Sequence, residues 1–574
     1  MATYKPKTDD LSIVIAGAAG QGIQTVELLL TKLLKLNSYN FFSTKEYMSR
    51  VRGGSNSSEI RVASHPVAAF RRTIDFLLPL NRQALEHVSH RIDSETVIIG
   101  ERTNLSDADS NLEYDVLDIP FGNMAKEIGS PLFSNIIAVG VITGLLGLDS
   151  SSTEKFLRTF FARKGDDIAE KNAQAVLQGH EIGHGLVTDG TISVSVTPDE
   201  AVKSQIVLGG AEAVGFGALT GGCDFVSSYP MSPATAVLSF LAEQSNNFDI
   251  IVEQAEDEVA AINMAIGAWY AGTRALVTTS GGGFALMTEG VSLAGMMESP
   301  MVIHLAQRPG PATGLPTRTE QADLELALYS GHGEFPRIIF APGCLEDLFH
   351  LTRQAFEYAD RYQVPVFVLT DQYLMDTYYN IDRIDVTGLQ PEKHIVETDA
   401  EYRRHVLTDN GLSPRGVPGY GEGLVIVDSD THDERGHLTE DLDMRVLMQD
   451  KRMKKAALIE GDILSPVYIK SQGNRYLMVC WGSTYHPLKE AIERSGRDDV
   501  SMLYFKQVYP IDPAVKEYFS GIEKAVIVEG NATGQLAKLL KLHADIVFSD
   551  RILKYDGMPY SVEELTDKIN EIFS

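Results

Sequence analysis

Short apolar runs recur along the chain and alternate with longer stretches of helical periodicity. Residues 11–16 (Leu-Ser-Ile-Val-Ile-Ala), 225–228, 301–305 and 364–370 predict strands, as do residues 475–480, 500–505 and 524–529. Residues 23–36 carry their apolar positions on one face, predicting an amphipathic helix directly after the first strand. Residues 259–267 are apolar nearly all round and predict a buried helix, with another beginning near Ala234 after two prolines that fix a rigid turn. Alternation of this kind points to an α/β architecture built from several sheets.

Length and charge sharpen this picture. A chain of 574 residues forms several domains, each large enough for its own core. No apolar segment approaches the roughly 20 residues that span a bilayer, and residues 1–10 lack the apolar core of a signal peptide. The net charge of −28 argues against nucleic acid and anionic membrane as partners. Cys223, Cys344 and Cys480 are scattered and form no C-x-x-C, which argues against a cluster or zinc site ligated wholly by this chain. They read as ordinary thiols in a reducing compartment, and a cytoplasmic protein is expected.

Candidate chemistry concentrates between Tyr229 and Thr317. Glu258 ends an acidic cluster and directly precedes the apolar helix, a position where the helix dipole favours negative charge. The residues alone leave a solvated first turn as the alternative for Glu253, Glu256, Asp257 and Glu258 together. Ser232, in Tyr229-Pro230-Met231-Ser232-Pro233, has the ordinary reading of a helix cap. Arg308 follows an apolar strand at the edge where α/β sheets place ligands, and its planar guanidinium suits a carboxylate. Gly281-Gly282-Gly283 permits close backbone approach or forms a tight turn. Near the N-terminus, the glycine loop at residues 17–22 lies between strand and helix in a phosphate-binding layout, but its spacing is not G-x-G-x-x-G, which argues against a nicotinamide site. His432-Asp433-Glu434 reads as a solvated turn rather than a metal site, since adjacent loop residues seldom converge on one ion.

YPMSPA (229–234), EQAEDEVAAINMAIGA (253–268), TTSGGGFALM (278–287) and QRPGPATGLPT (307–317) together resemble the pyrimidine-binding half of a thiamine diphosphate enzyme, the alpha subunit of the 2-oxoacid:ferredoxin oxidoreductases. The glycine loop and residues 50–54 are similar to the gamma domain of the same enzymes, fused in front. The resemblance implies a gamma-type α/β domain at 1–190, a pyrimidine-binding catalytic domain at 195–385, a connector at 386–470 and a transketolase C-terminal-like domain at 471–574. It implies that Glu258 bonds the ring nitrogen of the aminopyrimidine and so promotes the tautomer that removes the thiazolium proton. By the same resemblance Tyr229 and Pro230 bind the cofactor, and Ser232, standing where relatives carry threonine, contacts the substrate as well as the cofactor. Arg308 and Thr317 hold the 2-oxoacid, with Arg318 as an additional contact. The Glu529–Leu536 segment reads as structural or as interface.

No glycine-aspartate-glycine turn with paired asparagines follows, so Mg²⁺, the diphosphate and a four-iron four-sulfur cluster are expected on a beta partner subunit. Two copies of each subunit and ferredoxin complete the implied assembly. The implied reaction is oxidation of 2-oxoglutarate with CoA to succinyl-CoA and CO₂, or its reversal as a CO₂-fixing synthase. Pyruvate and branched-chain 2-oxoacids are the alternatives, and a non-catalytic regulatory or assembly paralogue is the alternative of another class. Residues 41–72 carry six basic groups against two acids, so Gly20, Gln21, Gly22, Arg50 and Arg52 are candidates for contacting CoA; the alternative is that these arginines form salt bridges.

Overall fold

The structure, a computed structural model, describes residues 4–18, 21–48, 54–105 and 114–574. Gly20, Arg50 and Arg52 therefore lie outside the described residues. The chain forms two compact units, the first comprising Met1–Leu208, Thr377–Arg383 and Ser561–Glu564, the second Gly209–Asp376, Ile384–Tyr560 and Leu565–Ser574.

The first unit is built on an eight-stranded sheet. Its Asp10–Ala18 strand runs parallel to Phe76–Pro79 and antiparallel to Ser55–Ala63. Leu11, Ile13 and Ile15 enter one apolar core while Val14 and Ala16 enter another, so this strand is buried on both faces. That is why its sequence is a continuous apolar run rather than an alternating one. The helix expected at 23–36 is Ile23–Leu36 and packs into the first of these cores. Beside it the helices Ser134–Leu145 and Asp166–Thr188 cross at glycines: a Cβ on Gly140 would stand 2.9 Å from the Gly179 Cα.

The second unit contains a seven-stranded sheet ordered Ile251–Gln254, Phe225–Ser228, Ala275–Thr279, Met301–Gln307, Pro365–Asp371, Ile338–Phe340, Gln507–Tyr509. All neighbours are parallel except the last pair. Parallel pairing brings the carboxyl ends of the first five strands to one edge, where the motif loops leave the sheet. The strand after Pro300 extends two residues beyond the expected 301–305, so Arg308 emerges directly from it. A five-stranded sheet, Val467–Ile469, Val500–Phe505, Tyr476–Trp481, Lys524–Glu529 and Asp550–Leu553, completes this unit and is parallel apart from its first strand. Both units are α/β, as the alternation of elements predicts.

Two expectations are corrected. The helix Glu258–Tyr270 is not buried all round: Val259 and Met264 are 43% and 41% exposed, because nothing among the described residues covers them. His432 is not in a solvated turn but fully buried, its ring 4.0 Å from that of His405. Polar residues of the 386–470 connector are drawn inward by buried charge. Glu298 accepts from Lys451 Nζ at 2.6 Å and is ion-paired with Lys455 Nζ at 2.5 Å, and Arg404 donates to its carbonyl. Burial alone would raise the Glu298 carboxyl, but the two ammonium groups hold it well below its ordinary range. Asp360, equally buried, is shared between Arg274 and Arg415. Each acid is paired on several sides, the condition under which buried charge is tolerated.

Candidate active site

Asp257 caps the helix Glu258–Tyr270 by accepting from the Ala260 amide at 2.7 Å. This cap frees the next residue, Glu258, to turn inward. Glu253, Glu256 and Asp257 are exposed whereas Glu258 is buried, so the solvated-turn reading fails for Glu258 alone. Its Oε1 is buried and has no hydrogen-bond partner among the described residues. An orphaned buried carboxylate oxygen is costly and needs a donor from elsewhere. A protonated ring nitrogen or an exocyclic amine would satisfy it, so the site fits an aminopyrimidine.

The triple glycine makes that burial feasible. A Cβ on Gly283 would stand 2.5 Å from Glu258 Oε1, and closer still to Thr279 Oγ1. A Cβ on Gly281 would stand 2.5 Å from Asp323 Oδ1, and one on Gly282 would stand 3.5 Å from the carbonyl of Ala312 in the loop after Arg308. The turn thus lies between two carboxylates and the loop. Arg308 Nη1 donates to the Ser232 carbonyl at 2.8 Å, tying the 229–234 turn to the same place. Burial pulls the Arg308 guanidinium below its ordinary value while Asp323 opposes the shift.

The structure therefore joins Glu258, Ser232 and Arg308 through the glycine turn. Ser232 does not cap the following helix: the cap position is Ala234, with no side-chain bond. Tyr229 is exposed and Pro230 half-buried at the mouth of the turn. Thr317 is half-buried at the far end of the exposed 310–315 loop, and Arg318 donates to Met558 Sδ at 3.2 Å. The Glu529–Leu536 segment is structural. Glu529 accepts from the Leu536 and Ala537 amides and from Trp481 Nε1, capping the helix Gln535–Ala544.

Sequence reasoning passed over Asp323. It lies six residues beyond Thr317, its amide donates to Gln307 Oε1 at 2.9 Å, and its Oδ2 is buried without a partner among the described residues. The signal was its place immediately after the loop motif, in Thr319-Glu320-Gln321-Ala322-Asp323. That segment is held from the five-stranded layer. Gln321 exchanges bonds with Gly530 and donates to the Trp481 carbonyl, and Gln535 Nε2 donates to the Ala322 carbonyl at 2.7 Å.

A cavity of about 480 Å³ lies elsewhere, along Val259, Leu286, Met296, Phe335 and Arg445, and none of these site residues lines it. Of the remaining sequence candidates, Gly22 opens the helix Ile23–Leu36 with φ 78°, and Gln21 Oε1 accepts from the Ala18 amide at 2.6 Å and from Asn81 Nδ2 at 2.7 Å. Arg61 and Arg71 are committed to Asp10, and Arg71 also to Glu563, so these two form salt bridges within their unit. Burial raises all three thiols, Cys223, Cys344 and Cys480, which keeps them protonated and unreactive.

Comparison with known proteins agrees with this geometry. Residues 216–451 match the family described as pyruvate flavodoxin/ferredoxin oxidoreductase, thiamine diphosphate-binding, and residues 12–182 match pyruvate ferredoxin/flavodoxin oxidoreductase. A 2-oxoacid:ferredoxin oxidoreductase subunit alpha from a Sulfolobus species is 30% identical over 98% of this chain and 97% of its own length. The chain belongs to the 2-oxoacid:ferredoxin oxidoreductase alpha-subunit family. Among other members, the 2-oxoglutarate oxidoreductase subunit KorA of Mycobacterium tuberculosis is 27% identical over 98% of this chain and 92% of its own. The 2-oxoglutarate:ferredoxin oxidoreductase from Magnetococcus marinus, solved with 2-oxoglutarate, coenzyme A and succinyl-CoA bound, is 27% identical. It superimposes with a TM-score of 0.91, covering 99% of this chain and 100% of that one. In this alpha subunit the thiamine diphosphate-binding region contains every residue gathered around the glycine turn. Among the described residues no helix is long and apolar enough to cross a membrane.

Proposed function

We propose that this alpha subunit works in a CoA-acylating 2-oxoglutarate:ferredoxin oxidoreductase, converting 2-oxoglutarate and CoA to succinyl-CoA and CO₂ while two electrons leave singly for ferredoxin. The observation that carries the reading is the buried, unpaired Glu258 Oε1 beneath Gly283, a site that fits the donor edge of an aminopyrimidine. Thiamine diphosphate, when bound, supplies the carbanion chemistry that decarboxylates a 2-oxoacid. With the cofactor bound, Glu258 would accept a hydrogen bond from the protonated ring nitrogen and stabilise its charge, and Tyr229, Pro230 and Ser232 would hold the ring, Ser232 also contacting the substrate. Arg308, already bonded to the Ser232 carbonyl, presents its remaining donors to the substrate carboxylate, and the Thr317 hydroxyl orients the keto group.

The choice of 2-oxoglutarate rests on the full-length likeness to the Magnetococcus enzyme and to KorA. In this reading residues 1–190 form the gamma-type domain that brings CoA, with Gln21 and Gly22 described and Gly20, Arg50 and Arg52 beyond the described residues. Residues 195–385 form the catalytic domain, 386–470 a connector and 471–574 the C-terminal domain. A beta subunit supplies Mg²⁺, the diphosphate site and the four-iron four-sulfur cluster in a cytoplasmic assembly of two copies of each subunit, which also runs in reverse as a CO₂-fixing synthase with strongly reduced ferredoxin.

Co-purification with the beta subunit and titration with 2-oxoacid plus CoA tests this. Bleaching of the iron–sulfur absorbance by 2-oxoglutarate in preference to pyruvate and branched-chain 2-oxoacids is expected. Preference for pyruvate reassigns the substrate. Absence of bleaching with every 2-oxoacid removes the enzymatic reading in favour of a regulatory paralogue.

A further inference from the structure

Asp323 is the second carboxylate against the glycine turn, and the function proposed above gives it no role. Its Oδ2 is buried and unpaired, its Oδ1 would lie 2.5 Å from a Cβ on Gly281, and its amide is fixed to Gln307, the residue before Arg308. Such placement is constructed, because Gln321 and Gln535 lock the segment on both sides. The charged groups whose fields reach Asp323 are Glu320 from its own segment and Arg308, from the end of the Met301–Gln307 strand, whose preceding residue Gln307 holds the Asp323 amide. The Gly281–Phe284 turn packed on it carries no ionisable side chain, Glu258 stands behind Gly283, and Lys538 on the neighbouring helix is engaged by Glu325.

An arginine beside an ionised aspartate would be neutralised internally and would present a weaker field to a substrate carboxylate. We propose that Asp323 is a positioning residue of the 2-oxoacid site: as the neutral acid it leaves the Arg308 guanidinium free for the substrate carboxylate, and on ionising it captures Arg308 and weakens substrate binding. The chemistry of the surroundings supports this. Burial raises the carboxyl most, Glu320 adds to the shift, and Arg308 only partly offsets it, leaving the group to titrate at about 7. Near neutral pH the site therefore holds both forms. The inference rests on the 2-oxoacid reading, in which Arg308 binds the substrate.

The test uses the complex with its beta subunit. KM and kcat for the 2-oxoacid are measured from about pH 6 to about pH 8.5 for the wild type and for Asp323→Asn. If only the neutral-acid form binds, the wild-type KM should rise by roughly tenfold per pH unit above the titration point, in proportion to the lost competent fraction. Asp323→Asn, which cannot ionise, should show a KM that does not climb over the same range. A wild-type KM that stays flat, or an Asp323→Asn complex that keeps the wild-type slope, overturns the proposal. A merely structural aspartate would lower assembly or kcat without removing the pH dependence of KM. Infrared titration of the wild-type chain alone provides a measurement independent of turnover. A protonated-carboxyl band that disappears near neutral pH is expected, and the absence of any such band counts against Asp323. Failure of the complex to oxidise any 2-oxoacid would instead overturn the functional reading, so the two failures are distinguishable.

Discussion

Gly283→Ala is the most incisive perturbation of the site, because it adds one methyl group and removes no charged or polar group. Gly283 lies in a short helical turn and is not among the residues with positive φ, so alanine is compatible with its backbone. On helix propensity alone the change would stabilise by about 1 kcal/mol. The new Cβ, however, would stand 2.5 Å from Glu258 Oε1 and 2.9 Å from Glu258 Cγ, and closer again to Thr279 Oγ1. Ordinary contact is at about 3.5–4.0 Å, so the carboxylate must retreat by roughly 1 Å. Overpacking of this kind costs about 1–3 kcal/mol, which leaves a net loss of roughly 0–2 kcal/mol after the helical gain. Catalysis should suffer far more, since a displacement of about 1 Å can cost on the order of 100-fold. Thermal unfolding of the chain and 2-oxoacid-dependent ferredoxin reduction by the assembled complex read the two effects separately. A complex that assembles normally and retains near-normal turnover would refute the assignment of Glu258 and its supporting turn.

Three further outcomes follow from the same geometry. Glu258→Gln should leave folding intact and lower turnover by about 100- to 10,000-fold, the usual loss for a positioned acid–base group, as measured by steady-state kinetics of the complex. Arg308→Ala should raise KM and lower turnover by a combined cost of about 2–5 kcal/mol while cofactor affinity, followed by calorimetry, stays unchanged. Glu298→Gln leaves Lys451 and Lys455 buried without their acid, and chemical denaturation near neutral pH should show a loss of about 3–5 kcal/mol. Because the folded Glu298 carboxyl is held well below its ordinary value of 4.5, its stabilisation is present above that value and lost only as pH falls through the folded one. The contribution of the Glu298 carboxylate should therefore disappear only in strong acid, and because burial pulls its partner Lys455 down to about 7, the gap between variant and wild type should also narrow as pH rises through neutrality.

What the sequence disclosed, and what it withheld, follows from how local each feature is. The strands Phe225–Ser228, Val500–Phe505 and Lys524–Glu529 and the helix Ile23–Leu36 fall where their apolar runs place them, because burial in a parallel sheet leaves a signal within one segment. Glu258 could be singled out only through the motif that surrounds it. By residue type it was one acid among four at a helix start, and its burial depends on Asp257 taking the cap and on a glycine 25 positions later making room. The connector was opaque for the same reason in stronger form. Its charged residues read as a solvated polar stretch, yet Glu298 reaches Lys451 across 153 positions and Asp360 reaches Arg415 across 55.

Asp323 lies at the far end of this scale. Apart from its place just after the loop motif, nothing in Glu320-Gln321-Ala322-Asp323 distinguishes that acid from the others in a chain with 78 acidic residues. Its character is conferred by partners remote in sequence: Gly530 and Gln535 pin the segment from more than 200 positions away, and Gly281 provides the only kind of surface that allows a carboxylate to approach so closely. A binding motif can be read along the chain when its residues recognise the ligand directly. A residue that acts by setting the charge state of another is legible only once the fold has brought the two together, which is why the glycine turn, rather than any acidic motif, is the place where this site declares itself.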